Sequence, residues 1–85
     1  MTVLDIKDIT TEDSYIYYRK SYTGTAIVEF QTMEELPINF LIETSPLGTK
    51  TVEVTLKKDV HYPLLPIIKE LKSFILKKDQ EGSLP

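Results

Sequence analysis

The spacing of the apolar residues changes once along the chain, and this change limits the folds that are open to it. Through the middle of the chain apolar side chains occupy every second position, which is typical of strands with one buried face. After Asp59 they recur at steps of three and four residues, which is typical of an amphipathic helix. The alternating set is Ala26, Val28, Phe30, Leu36, Ile38, Phe40, Ile42, Val52, Val54 and Leu56, and the helical set is Leu64, Ile67, Ile68, Leu71, Phe74 and Ile75. We therefore predict an α+β fold with the strands first and one helix last.

The segments with strand character are joined by short turns. They cover residues 3–9, 15–21, 25–32, 36–44 and 51–57, and Ser45-Pro46-Leu47-Gly48 suits a type I turn between the last two. The helix begins near Pro63, because proline is accepted in the first turn and disfavoured inside. No strand–helix–strand spacing exists, so we expect an antiparallel meander sheet of about five strands with the C-terminal amphipathic helix packed on one face. Residues 1–78 are expected to form a single α+β domain and residues 79–85 a flexible C-terminal tail.

Gly24 is interpreted as the end of a hairpin loop, since three-residue loops commonly end in a residue with positive φ. With Tyr22-Thr23-Gly24 as that loop, Tyr18 pairs with Val28. The helix side of the sheet then receives Ile16, Tyr18, Ala26, Val28 and Phe30, and the opposite side receives Tyr15, Tyr17, Arg19, Ile27, Glu29 and Gln31.

The stretch Ser-Tyr-Ile-Tyr-Tyr-Arg-Lys-Ser-Tyr at 14–22 holds four of the five tyrosines beside the only arginine. It has three interpretations. It is an ordinary strand, since Tyr has high strand propensity; or it contacts a partner protein through Tyr15, Tyr17, Arg19 and Ile27. In the third interpretation Tyr15 and Tyr17 stack on unpaired bases while Arg19 and Lys20 lie near phosphates.

The distribution of charge ranks the two binding interpretations. The net charge is −3, and residues 1–45 hold 3 basic and 8 acidic side chains. An acidic chain is a poor match for a phosphate backbone. We therefore expect a small protein-interaction module, accessory or inhibitor-like, with single-stranded nucleic-acid binding as the alternative. The order of elements is similar to that of several single-stranded-DNA-binding coactivator folds, although no residue motif is shared.

The sequence contains no recognisable catalytic or cofactor-binding motif. His61 is the only histidine, and no nucleophile motif accompanies it. The paired carboxylates Glu12-Asp13 and Glu34-Glu35 lack the spacing of a calcium loop, and the glycines are isolated. We therefore expect no enzyme activity, no cofactor, no metal and no small-molecule substrate.

The same sequence indicates a cytoplasmic protein. It has no cysteine, and so none of the disulfides that stabilise small secreted domains. The first residues, MTVLDIKDI, do not resemble a secretory leader, and no apolar run is long enough to span a membrane.

A homodimer is expected because one helix is too narrow for the sheet. Five strands at about 4.8 Å spacing span about 24 Å, whereas a helix with its side chains is about 10 to 12 Å wide. Either the sheet curls around the helix or a second copy covers the remaining apolar surface, which includes Leu4. Leu65 and Leu76 widen the apolar stripe of the helix and are the expected dimer contacts.

Overall fold

The computed structural model describes residues 2–12, 17–60 and 63–85, which form one antiparallel sheet and one helix. The strands are β1 (Thr2–Glu12), β2 (Arg19–Glu29), β3 (Met33–Thr44) and β4 (Lys50–Leu56), and the helix is α1 (Leu64–Gln80). The strands lie in chain order, β1-β2-β3-β4, and each pairs antiparallel with the next. The α+β class, the meander and the C-terminal helix are confirmed.

The predicted number of strands is wrong, since the described residues form four rather than five. Residues assigned to a second strand, a hairpin loop and a third strand belong to the single strand β2. Ser21 does not turn back to pair with Thr25; it pairs with Glu12 on one side and with Leu41 on the other. The loop was misplaced because glycine has a second use in sheets.

Gly24 lies inside β2 because β1 passes very close to it. A Cβ atom at this position would lie 3.1 Å from Ile6 Cγ2, 3.3 Å from Ile9 Cγ1 and 3.4 Å from the Lys7 carbonyl oxygen. The pairing shifts there, because Lys7 faces Thr25 whereas Thr10 faces Thr23. This leaves one extra residue in β1, a β-bulge, and Asp8 within it has a positive φ of 54°.

The core lies between α1 and the even-numbered side chains of β2, β3 and β4. Buried apolar side chains of the core are Val3, Ile6, Tyr22, Ala26, Val28, Leu36, Ile38, Phe40, Ile42, Val52, Ile67, Leu71 and Ile75. The rings of Tyr22 and Phe40 stack with their centroids 4.9 Å apart. The odd-numbered side chains from Arg19 to Lys57 face away from α1, and we call this side of the sheet the open face.

Three residues that were predicted to be buried are about half exposed. Tyr18 precedes β2 and Phe30 follows it, so neither lies on a paired strand, and 46% and 48% of their surfaces are accessible. Leu4 sits at a second shift in the pairing of β1, between Val3 and Asp5, where Val3 takes the buried position instead. Ile16, the remaining tyrosine-stretch residue assigned to the core, lies outside the described residues.

The helix begins after Pro63 and ends in a glycine cap, both close to the predicted positions. Gly82 has a φ of 71°, its N–H donates to the Asp79 carbonyl, and the Ser83 N–H donates to the Lys78 carbonyl. This pattern is the Schellman motif. The helix therefore includes Asp79 and Gln80, which had been assigned to the tail, and Leu84 packs against the core.

The sheet curls around α1, which was one of the two arrangements expected from the width of the helix. The backbone of α1 approaches the two edge strands, β1 and β4, more closely than the middle strands. Glu70 accepts a hydrogen bond from the Val3 N–H at 2.7 Å, and on the other flank of α1 Asp79 forms an ion pair with Lys50 of β4. The curl covers most of the sheet, so a dimer needs support from another feature.

Candidate functional site

The site is built at the end of the sheet where β2 begins and β3 ends. The Thr44 N–H donates to the Tyr18 carbonyl oxygen at 2.9 Å, which continues the pairing of β2 with β3 by one step and holds the Tyr18 backbone in place. Tyr17 comes immediately before it and is 94% exposed. The two rings meet edge to face, with centroids 5.7 Å apart and an interplanar angle of 88°. This is a favourable geometry for an aromatic pair.

The turn between β3 and β4 forms the opposite wall. The Gly48 N–H donates to the Ser45 carbonyl at 2.9 Å, and the Ser45 side chain accepts from the N–H groups of Leu47 and Thr49. These bonds confirm the predicted turn and fix the position of Pro46. A turn held by its own hydrogen bonds presents Pro46 as a rigid apolar surface.

Between these walls lies a hollow of about 680 Å³, lined by Tyr17, Tyr18, Glu43, Thr44, Ser45 and Pro46. We call it the tyrosine hollow. A smaller hollow of about 60 Å³ opens beside it toward α1, where Lys20, Lys50 and Asp79 contribute to the lining. The volume of the tyrosine hollow suits one or two side chains of an extended peptide, or a small planar group.

The charges at the rim of the tyrosine hollow are already paired. Arg19 Nη2 lies 2.7 Å from Glu43 Oε2, and Arg19 Nε donates to the same oxygen at 2.9 Å. The hydrogen bond to Glu43, followed by the charge of that carboxylate, raises the pKa of Arg19 above its ordinary value. Arg19 therefore acts here mainly as a brace between β2 and β3.

A second hollow, of about 250 Å³, lies on the open face. Its lining includes the carboxylates of Glu12 and Glu53, the Ser21 hydroxyl and Asn39. Among the described residues Asn39 Oδ1 is a buried oxygen without a hydrogen-bond donor. The lining is rich in acceptors, which favours a donor-rich or cationic side chain from outside.

The predicted partner-binding residues are not brought together. Tyr15 lies outside the described residues, and Tyr17 stands on the tyrosine hollow rather than on a strand face. Ile27 is on the open face of β2, eight residues beyond Arg19, which corresponds to about 26 Å along a strand. Lys20, named for the nucleic-acid alternative, is exposed on the side opposite to Arg19.

The two predicted dimer contacts differ in exposure. Leu65 is 81% exposed at the start of α1, whereas Leu76 is partly buried against the core. Pro46 and Thr44, which line the tyrosine hollow, were missed as site residues. The turn that carries Pro46 was recognised in the sequence, but the sequence did not indicate that the turn lies next to Tyr17.

The chemical side chains that the sequence offered do not form a reactive cluster in the part of the chain that is described. His61 and Asp13 lie outside that part. Residues 2–12, 17–60 and 63–85 contain no group of His, Cys, Asp and Glu side chains arranged to hold a metal ion. Glu35 is instead 2.5 Å from Lys7 Nζ, in a cross-strand ion pair on the open face.

Comparison with known proteins gives a family for the chain. The sequence model of the BB_0187 family matches residues 1–80. The chain belongs to this family. No curated protein and no solved structure matches the chain significantly. Within the described residues α1 is too short and too polar to cross a membrane.

Proposed function

We propose that this protein is a small non-enzymatic interaction module of the cytoplasm that binds an extended segment of another protein in the tyrosine hollow. The observation that carries the proposal is Tyr17, whose ring is almost fully exposed although it packs edge to face on Tyr18. Exposed aromatic rings of this kind are enriched among the residues that dominate binding energy at protein interfaces.

The chemistry of the site favours an apolar anchor on the partner. Tyr17, Tyr18 and Pro46 supply apolar walls, and the only charged residue among the described lining, Glu43, is held by Arg19. A proline or branched aliphatic side chain would fill the hollow without leaving a charge unpaired. The rigid turn around Pro46 reduces the entropy that is lost on binding.

The electrostatics favour a basic partner segment. Glu29, Glu12 and Glu53 lie on the open face without an ion-pair partner among the described residues. The acceptor-rich hollow near Asn39 adds a further position for a lysine or arginine side chain. A segment that combines an apolar anchor with nearby basic residues therefore matches both hollows.

Selection from a phage-displayed library of random linear peptides tests the proposal. We expect enriched peptides to carry a proline or aliphatic anchor and at least one Lys or Arg. Tyr17→Ala should weaken binding of an enriched peptide by about tenfold or more, measured by isothermal titration calorimetry, as for a hot-spot residue. Leu47→Ala is the matched control, because Leu47 is equally exposed in the adjoining turn but does not line the hollow. Equal effects of the two substitutions would contradict the proposal.

Single-stranded nucleic-acid binding is the second candidate, supported by Tyr17 and the exposed Lys20 at the same end of the sheet. A base stacked on Tyr17 would contribute about 1 to 3 kcal/mol. The acidic open face opposes this function, because phosphates would be repelled there. Fluorescence anisotropy with labelled single strands at low and high salt distinguishes the candidates, and tight binding at low salt that Tyr17→Ala abolishes would favour nucleic acid.

A further inference from the structure

β4 is an edge strand with free backbone hydrogen-bonding groups. The Ser45 N–H donates to the Thr49 carbonyl at 2.8 Å and the Lys57 N–H donates to the Pro37 carbonyl at 3.0 Å. In an antiparallel ladder the bonded residues alternate, so the odd-numbered residues of β4 bond to β3. The N–H and C=O groups of Val52, Val54 and Leu56 therefore point away from the sheet, and no hydrogen bond from a described residue reaches them.

The core is also incompletely covered beside this edge. Val54 and Leu56 are only partly buried, whereas their partners in β3, Phe40 and Ile38, are buried. The helical period places Leu65, Ile68 and Leu76 on the same flank of α1 as Asp79, which binds Lys50 of β4. The partly exposed apolar residues on this side of the molecule, which we call the β4 strip, are Val54, Leu56, Leu65, Ile68 and Leu76.

We infer that a second copy of this chain occupies the β4 edge, with the two β4 strands paired antiparallel across a two-fold axis. The pairing joins two four-stranded sheets into one sheet of eight strands and brings the two α1 helices side by side on the same face. Each copy then satisfies the outward backbone groups of the other, and the two β4 strips cover one another. The dimer contacts include Leu65 and Leu76, the two residues singled out from the sequence.

The side chains of β4 select one register for this pairing. Hydrogen bonding through the outward groups requires even-numbered residues to face even-numbered residues. A register centred on Glu53 would place two carboxylates directly opposite each other, which is unfavourable. A register centred on Val54 instead places Glu53 opposite Thr55 of the second copy and diagonal to its Lys57, and it places Val52 opposite Leu56. Charge and apolar complementarity therefore agree on the register centred on Val54.

The inference specifies the homodimer that forms part of the proposed function, and it uses a different surface from the tyrosine hollow. The two can fail separately. Tyr17→Ala should leave the dimer intact, whereas a substitution that separates the copies should leave the affinity for an enriched peptide within about twofold, because the sites share no lining residue. A monomeric wild-type protein that still binds the peptide would overturn the dimer alone.

Sedimentation of the wild-type protein and of Val54→Pro at the same concentration is the first experiment. The wild type should sediment at twice the 9.8 kDa chain mass, and Val54→Pro at the chain mass. Proline removes an outward N–H without removing a bond to β3, so the variant should keep its circular dichroism spectrum. Val54→Thr, which keeps the N–H and the branched Cβ, is the matched control and should remain a dimer. A monomeric wild type, or a folded Val54→Pro that remains a dimer, would overturn the inference.

Cross-linking tests the register and decides the question if Val54→Pro fails to fold. The natural chain has no cysteine, so Glu53→Cys with Thr55→Cys introduces the only thiols. These two positions form a non-hydrogen-bonded pair across the axis, whose Cα separation of about 4.5 Å permits a disulfide. Oxidation should give a covalent dimer on a non-reducing gel, while Thr51→Cys with Glu53→Cys should remain largely uncross-linked. Cross-linking of the second pair but not of the first would overturn the register centred on Val54.

Discussion

β1 and β4 border the same sheet, but their backbones are finished differently. β1 contains two shifts in its pairing, a left-handed Asp8, and a Val3 N–H that is capped by the Glu70 side chain. β4 is regular throughout its seven residues, and its outward groups have no partner among the described residues. Bulges and capping side chains are the usual protection of an edge against pairing with another chain. The difference indicates that one edge is closed and that the other is available for a second copy.

Deletion of Asp8 should have the largest effect on this difference. It removes the extra residue between Lys7 and Thr10 and makes that part of β1 regular. With two open edges per copy, dimers would join through β1 into species larger than a dimer, which light scattering after size exclusion would detect. Asp8→Gly keeps the bulge and relieves its positive φ, so it should have the same mass as the wild type. A folded deletion variant that remains a dimer would show that the bulge does not protect β1.

Gly24→Val should have the next largest effect, because it forces β1 away from β2 at the same bulge. The new side chain would press on Ile6, Ile9 and the Lys7 carbonyl. We expect the free energy of unfolding in urea to fall by about 1 to 3 kcal/mol, the usual cost of overpacking. Thr25→Val, the neighbouring position on the open face, is the control and should change stability much less. Similar losses for both variants would contradict the role given to Gly24.

Glu70→Ala should open β1 near its start. The substitution removes the acceptor of the Val3 N–H, so we expect about 1 to 2 kcal/mol less stability and faster hydrogen exchange of the Val3 amide. Lys69→Ala, at an exposed neighbouring position in α1, should change neither quantity. Unchanged exchange at Val3 in Glu70→Ala would show that the cap does not protect this edge.

Glu53→Lys should produce the smallest effect, and it acts on the open edge. It replaces attraction between Glu53 and Lys57 of the second copy with repulsion, which should weaken dimerisation by about 1 kcal/mol, roughly fivefold. Adding Lys57→Glu restores opposite charges in reversed order and should recover the wild-type dissociation constant. Recovery by the double variant is the decisive result, since single charge changes also alter solubility. Failure to recover would place Glu53 away from Lys57.

The sequence predicted the parts of the fold that depend on local patterns. The alternation in β3 and β4, the turn at Ser45 to Gly48 and the period of α1 each involve neighbours in the chain, and the structure confirms them. The path of β2 depended on Gly24, which local patterns interpret equally well as a loop end or as a close approach of another strand. Only the position of β1 distinguishes these uses, and no local pattern records it.

The candidate site was less accessible to sequence reasoning than the fold. Tyr17 was selected for a face of a strand, yet it stands in a turn where its neighbours are Tyr18 and Pro46. Pro46 is far from Tyr17 in the chain, and their proximity follows from the pairing of β2 with β3. Bulges in β1 were equally hidden, because an alternation that fails at Leu4 and again near Asp8 resembles a weak strand rather than a protected edge.

Hydrogen exchange of the Val54 amide at several protein concentrations tests most directly that β4 is the open edge that pairs with a second copy. The Val54 N–H should exchange slowly at concentrations where the dimer predominates, and faster on dilution in proportion to the monomer fraction. The Val3 N–H, bonded to Glu70 within one copy, should keep the same rate throughout. Rapid exchange of Val54 at every concentration, in a protein whose core amides stay protected, would contradict the account.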